Sequence, residues 1–198
     1  MQKFCLLSIL FCFCLAKVVA QPELKIEPPA GWKAFDALQR ARQKVTTNEI
    51  PDTMKQVVNQ KFLREAGTVH LYSYEASRKP GLHMVPTVDI TIDSNEMKND
   101  RQFIRMVYFG MKKIGSYMGN FQMIDTAAFT TVNGIRAVYT KCSGEVLLTN
   151  KASVFMRMRI YVIPCNKYYF TIQLTDSDLY DTQKEFQNVL QTLKVTCP

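Results

Sequence analysis

The chain has 198 residues, 47% hydrophobic and 11% aromatic, with a formal charge of +8. That is enough apolar material for one folded domain without a metal staple, and it excludes a disordered polar chain. The basic balance suits acidic partners, anionic membrane surfaces or nucleic acid, and equally an ordinary solubilising surface.

Residues 1–20 follow a different rule from the rest. Lys3 supplies a positive end, residues 4–16 are apolar apart from Ser8, and Val18 and Ala20 fit the small-residue positions before a signal-peptidase cut. As a helix the apolar run spans only ~20 Å before Lys17 interrupts it, against roughly 30 Å of hydrocarbon core. The expectation is a cleaved secretory signal and a mature domain over residues 21–198, exported to a periplasm or beyond. Removing Lys3 and Lys17, and no acid, lowers the charge from +8 to +6. Phe13 before Cys14 argues against a lipoprotein signal, and no Asn-x-Ser/Thr sequon is present. Of the six cysteines, Cys142, Cys165 and Cys197 remain, so one disulfide and one free thiol are expected in an oxidising compartment.

The mature chain opens with a Pro-rich lead-in carrying Pro22, Pro28, Pro29 and Gly31 before Trp32, which should dock on the body. Residues 32–45 suit a helix but are poorly patterned. A firmer helix starts at Pro51, puts Met54, Val57, Val58 and Phe62 on one face and stops near Gly67. Strands are expected over 68–74 and 86–93, the second alternating Val88, Ile90 and Ile92 with polar residues, around a basic turn at Arg78, Lys79, Pro80 and Gly81. A long helix over about 99–118 then clusters Phe103, Val107, Ile114 and Met118 on one side and Arg101, Arg105 and Lys112 on the other.

From Phe121 the apolar period changes to two, predicting an antiparallel meander over 121–131, 135–146, 153–163 and 168–174. Asn133-Gly134 marks a type I′ hairpin and Asn150-Lys151 the next turn. Val154, Met156, Met158, Ile160 and Val162 share one face of the third strand, and Arg157, Arg159 and Tyr161 the other. A closing helix to Leu193 carries Phe186, Val189, Leu190 and Leu193 as its stripe, with Thr182 and Glu185 in capping-box form. The predicted class is α+β: an N-terminal strand pair and a four-stranded meander with helices on the faces.

The order of elements, with Pro29-x-Gly31-Trp32 at the entry, Val132-Asn133-Gly134 in the meander and Phe186-x-x-Val189-Leu190-x-x-Leu193 at the end, resembles the PsbP/Mog-type α/β/α sandwich. That group includes a photosystem accessory protein, a Ran-binding nuclear protein and exported bacterial proteins of unknown role. The resemblance implies binding and scaffolding rather than catalysis. No motif aligns residue by residue, so no partner-binding residue carries over.

Catalytic signatures are missing: the chain has no GxGxxG, Walker-type loop, GxSxG, HExxH or CxxC. His70 reads as an ordinary strand residue beside Tyr72 and Tyr74, and His83 falls in the basic loop, so replacing either by alanine should leave activity intact. The methionines fit core filling better than a soft-metal site. No cofactor or metal is implied. Arg157, Arg159 and Tyr161 should lie near Arg136 on a face that is either solvated or covered by a helix, with Asp178 and Asp181 as candidate counter-charges; export makes nucleic acid an improbable target. The expected function is a non-enzymatic binding or accessory module that recognises a protein or envelope component, with Arg101, Arg105 and Lys112 as the candidate partner-binding residues. The alternative is a carrier of a small apolar ligand or lipid, which native mass spectrometry would reveal as retained mass.

For the disulfide, matching apolar faces pairs Val162 with Phe170 and Ile160 with Ile172, leaving Cys165, Asn166 and Lys167 as the hairpin loop. The following strand carries the chain away by ~23 Å and the last helix returns it by ~18 Å. Cys197 should therefore reach Cys165. Mid-strand Cys142 stays free, ~26 Å from the level of Cys165 and far beyond bridging reach.

Overall fold

The computed structural model describes residues 22–35, 69–77, 84–147 and 153–197. The expected leader, the helix beginning at Pro51, most of the basic loop and the Asn150-Lys151 turn lie outside the described residues, as does nearly all of 32–45. In chain order the described elements are β1 (Glu23–Lys25), β2 (Lys33–Ala34), β3 (Val69–Glu75), β4 (Thr87–Ser94), α1 (Asp100–Gly115), β5 (Gly119–Val132), β6 (Ile135–Leu147), β7 (Ser153–Cys165), β8 (Tyr168–Ser177), α2 (Gln183–Gln191) and β9 (Lys194–Thr196).

The expected strand pair and meander are one sheet. Its seven strands run β2-β3-β4-β8-β7-β6-β5, each antiparallel to its neighbour. The join is β4 on β8, where Val88, Ile90 and Ile92 stand opposite Leu174, Ile172 and Phe170 and form one apolar face. Because β4 sits on one side of the meander and β5 at its far edge, the intervening chain must cross the sheet. It does so as α1.

Both faces of the sheet are buried, by different helices. α1 sets Phe103, Val107 and Met111 against Val138, Cys142, Met158, Ile160 and Val162. On the opposite face, Phe186 and Val189 of α2 and Leu193 just beyond it pack with Val88, Ile90, Ile163, Phe170, Ile172 and Leu174. The fold is therefore α+β, a sheet between helices.

This two-faced burial corrects the expected β7–β8 register. Val162 stands opposite Thr171 and Ile160 opposite Gln173, while Ile163 meets Phe170 and Tyr161 meets Ile172. Ile160 and Val162 serve the α1 core and Phe170 and Ile172 the α2 core, so matching those two rows put opposite faces together. The pairing is one residue out, which exchanges the faces. The hairpin loop is correspondingly Asn166-Lys167, with Asn166 at φ 54° and Cys165 paired to Tyr168.

Local signals account for most element ends. Asn99 caps α1, its Oδ1 accepting from the Gln102 N–H at 3.0 Å. The helix ends at Gly115, short of the expected residue 118, and β5 begins at Gly119. A Cβ at Gly115 would stand 2.5 Å from the Phe121 ring, so the chain needs a glycine where it leaves the helix. Asn133 and Gly134 have φ of 46° and 76°, as a two-residue primed hairpin requires, with Val132 paired to Ile135.

The ends of the chain were not anticipated as strands. β1 and β9 form a separate two-stranded sheet, Leu24 opposite Val195. Leu24 enters the α2-side core, and Trp32 meets Phe186 edge-on with ring centroids 6.0 Å apart. A disulfide joins Cys165 to Cys197 with Cα atoms 5.3 Å apart, tying the end of β7 to the residue after β9. Cys142 is free and buried, opposite Met158 and so seven positions along β7 from Cys165.

Candidate docking surface

The side of α1 turned away from the sheet follows from its 3.6-residue period. With Phe103, Val107 and Met111 inward, Arg101, Arg105, Lys112 and Lys113 point outward and all are exposed. The expected cluster of Arg101, Arg105 and Lys112 is thus one surface, and Lys113 extends it. Phe109 was not singled out from the sequence. It lies near the centre of this cationic face and is 55% exposed. Advancing 100° per residue from Val107 was signal enough to find it, because Phe109 falls between Arg105 and Lys113 on the wheel.

The cations organise around the rings. The Arg105 guanidinium is 5.9 Å from the centroid of Phe109, and the Lys112 ammonium is 5.0 Å from that of Tyr108. Lys112 and Lys113 also suit the last turn, where the helix dipole favours positive charge, whereas Arg101 in the first turn works against it. Helix stability therefore explains the lysines but not Arg101. The only acid of α1, Asp100, is engaged by Arg136, whose NH1 donates to Oδ1 at 3.2 Å while its guanidinium lies 3.7 Å from the Phe129 centroid. That bond holds the Arg136 pKa above its ordinary value.

Arg136 does not join Arg157 and Arg159, as had been expected. It shares the parity of Val138 and faces the α1 side, whereas Arg157 and Arg159 lie on the α2 side. Their counter-charge is neither Asp178 nor Asp181. Arg157 Nε donates to Asp176 Oδ1 at 2.8 Å, and Arg159 NH1 to Oδ2 at 3.2 Å. Arg157 also donates to the carbonyls of Ser177 and Tyr180, and Arg159 lies 5.4 Å from the Phe186 centroid. Thr182 adds a third donor to Asp176 at 2.7 Å; its side chain makes no cap bond to α2, and the expected capping box does not form. On this largely covered face two guanidinium groups share one buried carboxylate. Beside it Tyr139 and Tyr161 stand opposite each other, ring centroids 4.8 Å apart; burial foremost, then the charges of Tyr161 and Asp125, pushes the Tyr139 phenol up to about 12.

Cys142 sits among Phe103, Met111 and Met158, and burial lifts its thiol to about 11, so it is protonated at neutral pH. The backbone of His70 is in β3 opposite Thr91, and His83 lies outside the described residues. Met111 and Met158 are core residues, with Met97, Met106, Met118, Met123 and Met156 packed against the same cluster. No group of three or more His, Cys, Asp or Glu side chains is placed to hold a metal among the described residues.

No family model matches the sequence, and no curated protein matches it either. Among solved structures, LpqN of Mycobacterium tuberculosis, described as involved in cell envelope biogenesis, superposes with a TM-score of 0.53 at 10% identity, over 89% of this chain and 84% of that one. The chain shares its fold with LpqN. A cyanobacterial PsbP from Synechocystis sp. PCC 6803 also matches, at 12% identity over 92% of this chain and 97% of that one, with a TM-score of 0.47. At these identities the likeness concerns the fold alone. No described helix is long and apolar enough to cross a membrane.

Proposed function

We propose that the protein is an exported, non-enzymatic accessory module of the cell envelope that docks on an envelope component through the outward face of α1. The observation that carries this is the face itself: four cations, including an Arg101 that helix stability does not explain, surround an exposed Phe109. The leader-like residues 1–20 support export, and the shared fold with an envelope-biogenesis protein agrees with the location. The four exposed cations of α1 give a partner bearing acidic groups a reason to bind here, since the lone acid of α1 is already held by Arg136.

The test is retention in the envelope fraction of its own host. Wild-type protein should stay bound at low salt and be released as ionic strength rises. The Arg101→Glu, Arg105→Glu, Lys112→Glu variant should be released at low salt while melting as wild type does. Equal retention of the two proteins would remove this face from the reading, and intact mass of the secreted protein, expected to start at Gln21, checks the export half.

A further inference from the structure

An amphipathic helix at a bilayer ordinarily lays its apolar side into the headgroup layer. In α1 that side is spent on the sheet, with Phe103, Val107 and Met111 in the core. What remains outward is a convex cationic strip with one aromatic ring at its middle. From Arg101 to Lys113 the charges extend over ~18 Å of helix axis. None of Arg101, Arg105, Lys112 and Lys113 forms an ion pair among the described residues, and Phe109 is 55% exposed although Arg105 stacks near it.

We infer that this face binds an anionic lipid bilayer, Phe109 entering the headgroup layer while Arg101, Arg105, Lys112 and Lys113 rest on acidic headgroups. The inference rests on the docking reading above and names its partner. Shape and charge favour lipid over an acidic protein. A protein partner must offer a pocket for a protruding ring and fixed acids in register with long, mobile cations. A fluid anionic surface supplies both requirements without a pocket, because headgroups rearrange under the charges and the ring displaces only interfacial water. The mode is led by electrostatics, each cation near such a surface strengthening binding by about fivefold. Attachment is therefore reversible and salt-sensitive, with the ring as the second signal that a single weak anchor lacks.

The experiment is sedimentation of the mature protein with vesicles of phosphatidylcholine alone and of phosphatidylcholine mixed with phosphatidylglycerol. Binding is expected to the mixed vesicles only, at low salt, and to disappear at high salt. Arg101→Gln with Arg105→Gln and Lys112→Gln should weaken it at least about a hundredfold. Phe109→Ala should weaken it several-fold without changing the salt dependence. In Phe109→Trp, after subtraction of the Trp32 signal, emission should shift to the blue on mixed vesicles and be quenched by brominated lipid. All positions are exposed, and a thermal melt of each variant confirms that it folds. No binding to mixed vesicles, equal binding to neutral vesicles, or undiminished binding of the triple glutamine variant overturns the inference. If lipid binding is absent while the glutamate variant still loses envelope retention, the partner is an acidic protein and only the lipid assignment falls; if retention is also unchanged, both readings fall.

Discussion

Arg157 Nε donates to Asp176 Oδ1 across 2.8 Å, and the carboxylate that accepts it is 1% exposed. Asp176 also receives Arg159 and Thr182, so one buried charge ties β7, β8 and the entry to α2 together. Removing it leaves two guanidinium groups against a low-dielectric face. Asp176→Ala should cost about 3 kcal/mol of stability, whereas replacing exposed Asp178 by alanine should cost almost nothing. Urea denaturation of the two variants measures the difference.

Asn133 performs two tasks at one position. Its φ of 46° suits the hairpin, and its Nδ2 donates to the carbonyls of Gln191 at 2.8 Å and Leu193 at 2.9 Å, where α2 ends. Asn133→Gly keeps the backbone freedom and loses only those bonds, so about 1 kcal/mol is expected. Asn133→Ala loses both and should cost about 2 kcal/mol. Chemical denaturation of the pair separates turn geometry from the capping of α2.

The Cys165–Cys197 bridge spans a sequence separation of 32 residues. In the chain-entropy account a loop of that size contributes about 3 to 4 kcal/mol, here holding β9 and, through it, β1 on the body. Cys197→Ser should lower stability by that amount and expose the amides of residues 23–25 to hydrogen exchange. Non-reducing peptide mapping should link only these two cysteines, and a fragment containing linked Cys142 would contradict the topology.

Cys142 and Tyr139 predict the response to alkali. Burial raises the thiol from 9.0 to about 11, and burial with nearby negative charge raises the phenol from 10.0 to about 12. Both hold their protons more tightly folded than unfolded. Their contribution is therefore intact below pH 9.0, the unfolded thiol value, and is lost progressively as pH rises toward about 12. Thermal midpoints should fall across that window, and less steeply in Tyr139→Phe. In the mature, oxidised protein Cys142 should resist a thiol reagent until denaturant is added.

Near-neighbour information was sufficient for much of this architecture. The period-two run after Phe121, the Asn133-Gly134 turn and the start of the long helix near residue 99 are each decided by residues close in the chain, so strands, hairpin and helix start could be read directly. Arg101, Arg105 and Lys112 could be placed on one surface because a helix repeats every few residues. The α+β class followed, and so did the return of the C-terminus toward the end of β7, which depends on element lengths and tolerates a register one residue out.

Tertiary packing decided what periodicity leaves ambiguous. A sheet covered on both sides has an apolar row on each face of β7 and β8, and only the placement of α1 and α2 reveals that Ile160 and Phe170 belong to different cores. The choice of Asp176 over Asp178 or Asp181 as the anchor is a matter of which carboxylate points inward, and that depends on register. Thr182 illustrates the same limit: its capping pattern is local, but its hydroxyl is turned to donate to a buried carboxylate at 2.7 Å and makes no cap bond to the helix. The β1–β9 sheet joins residues at opposite ends of the chain, and its short strands carry no pattern of their own; they exist because Leu24 finds a buried site that the rest of the fold has already built.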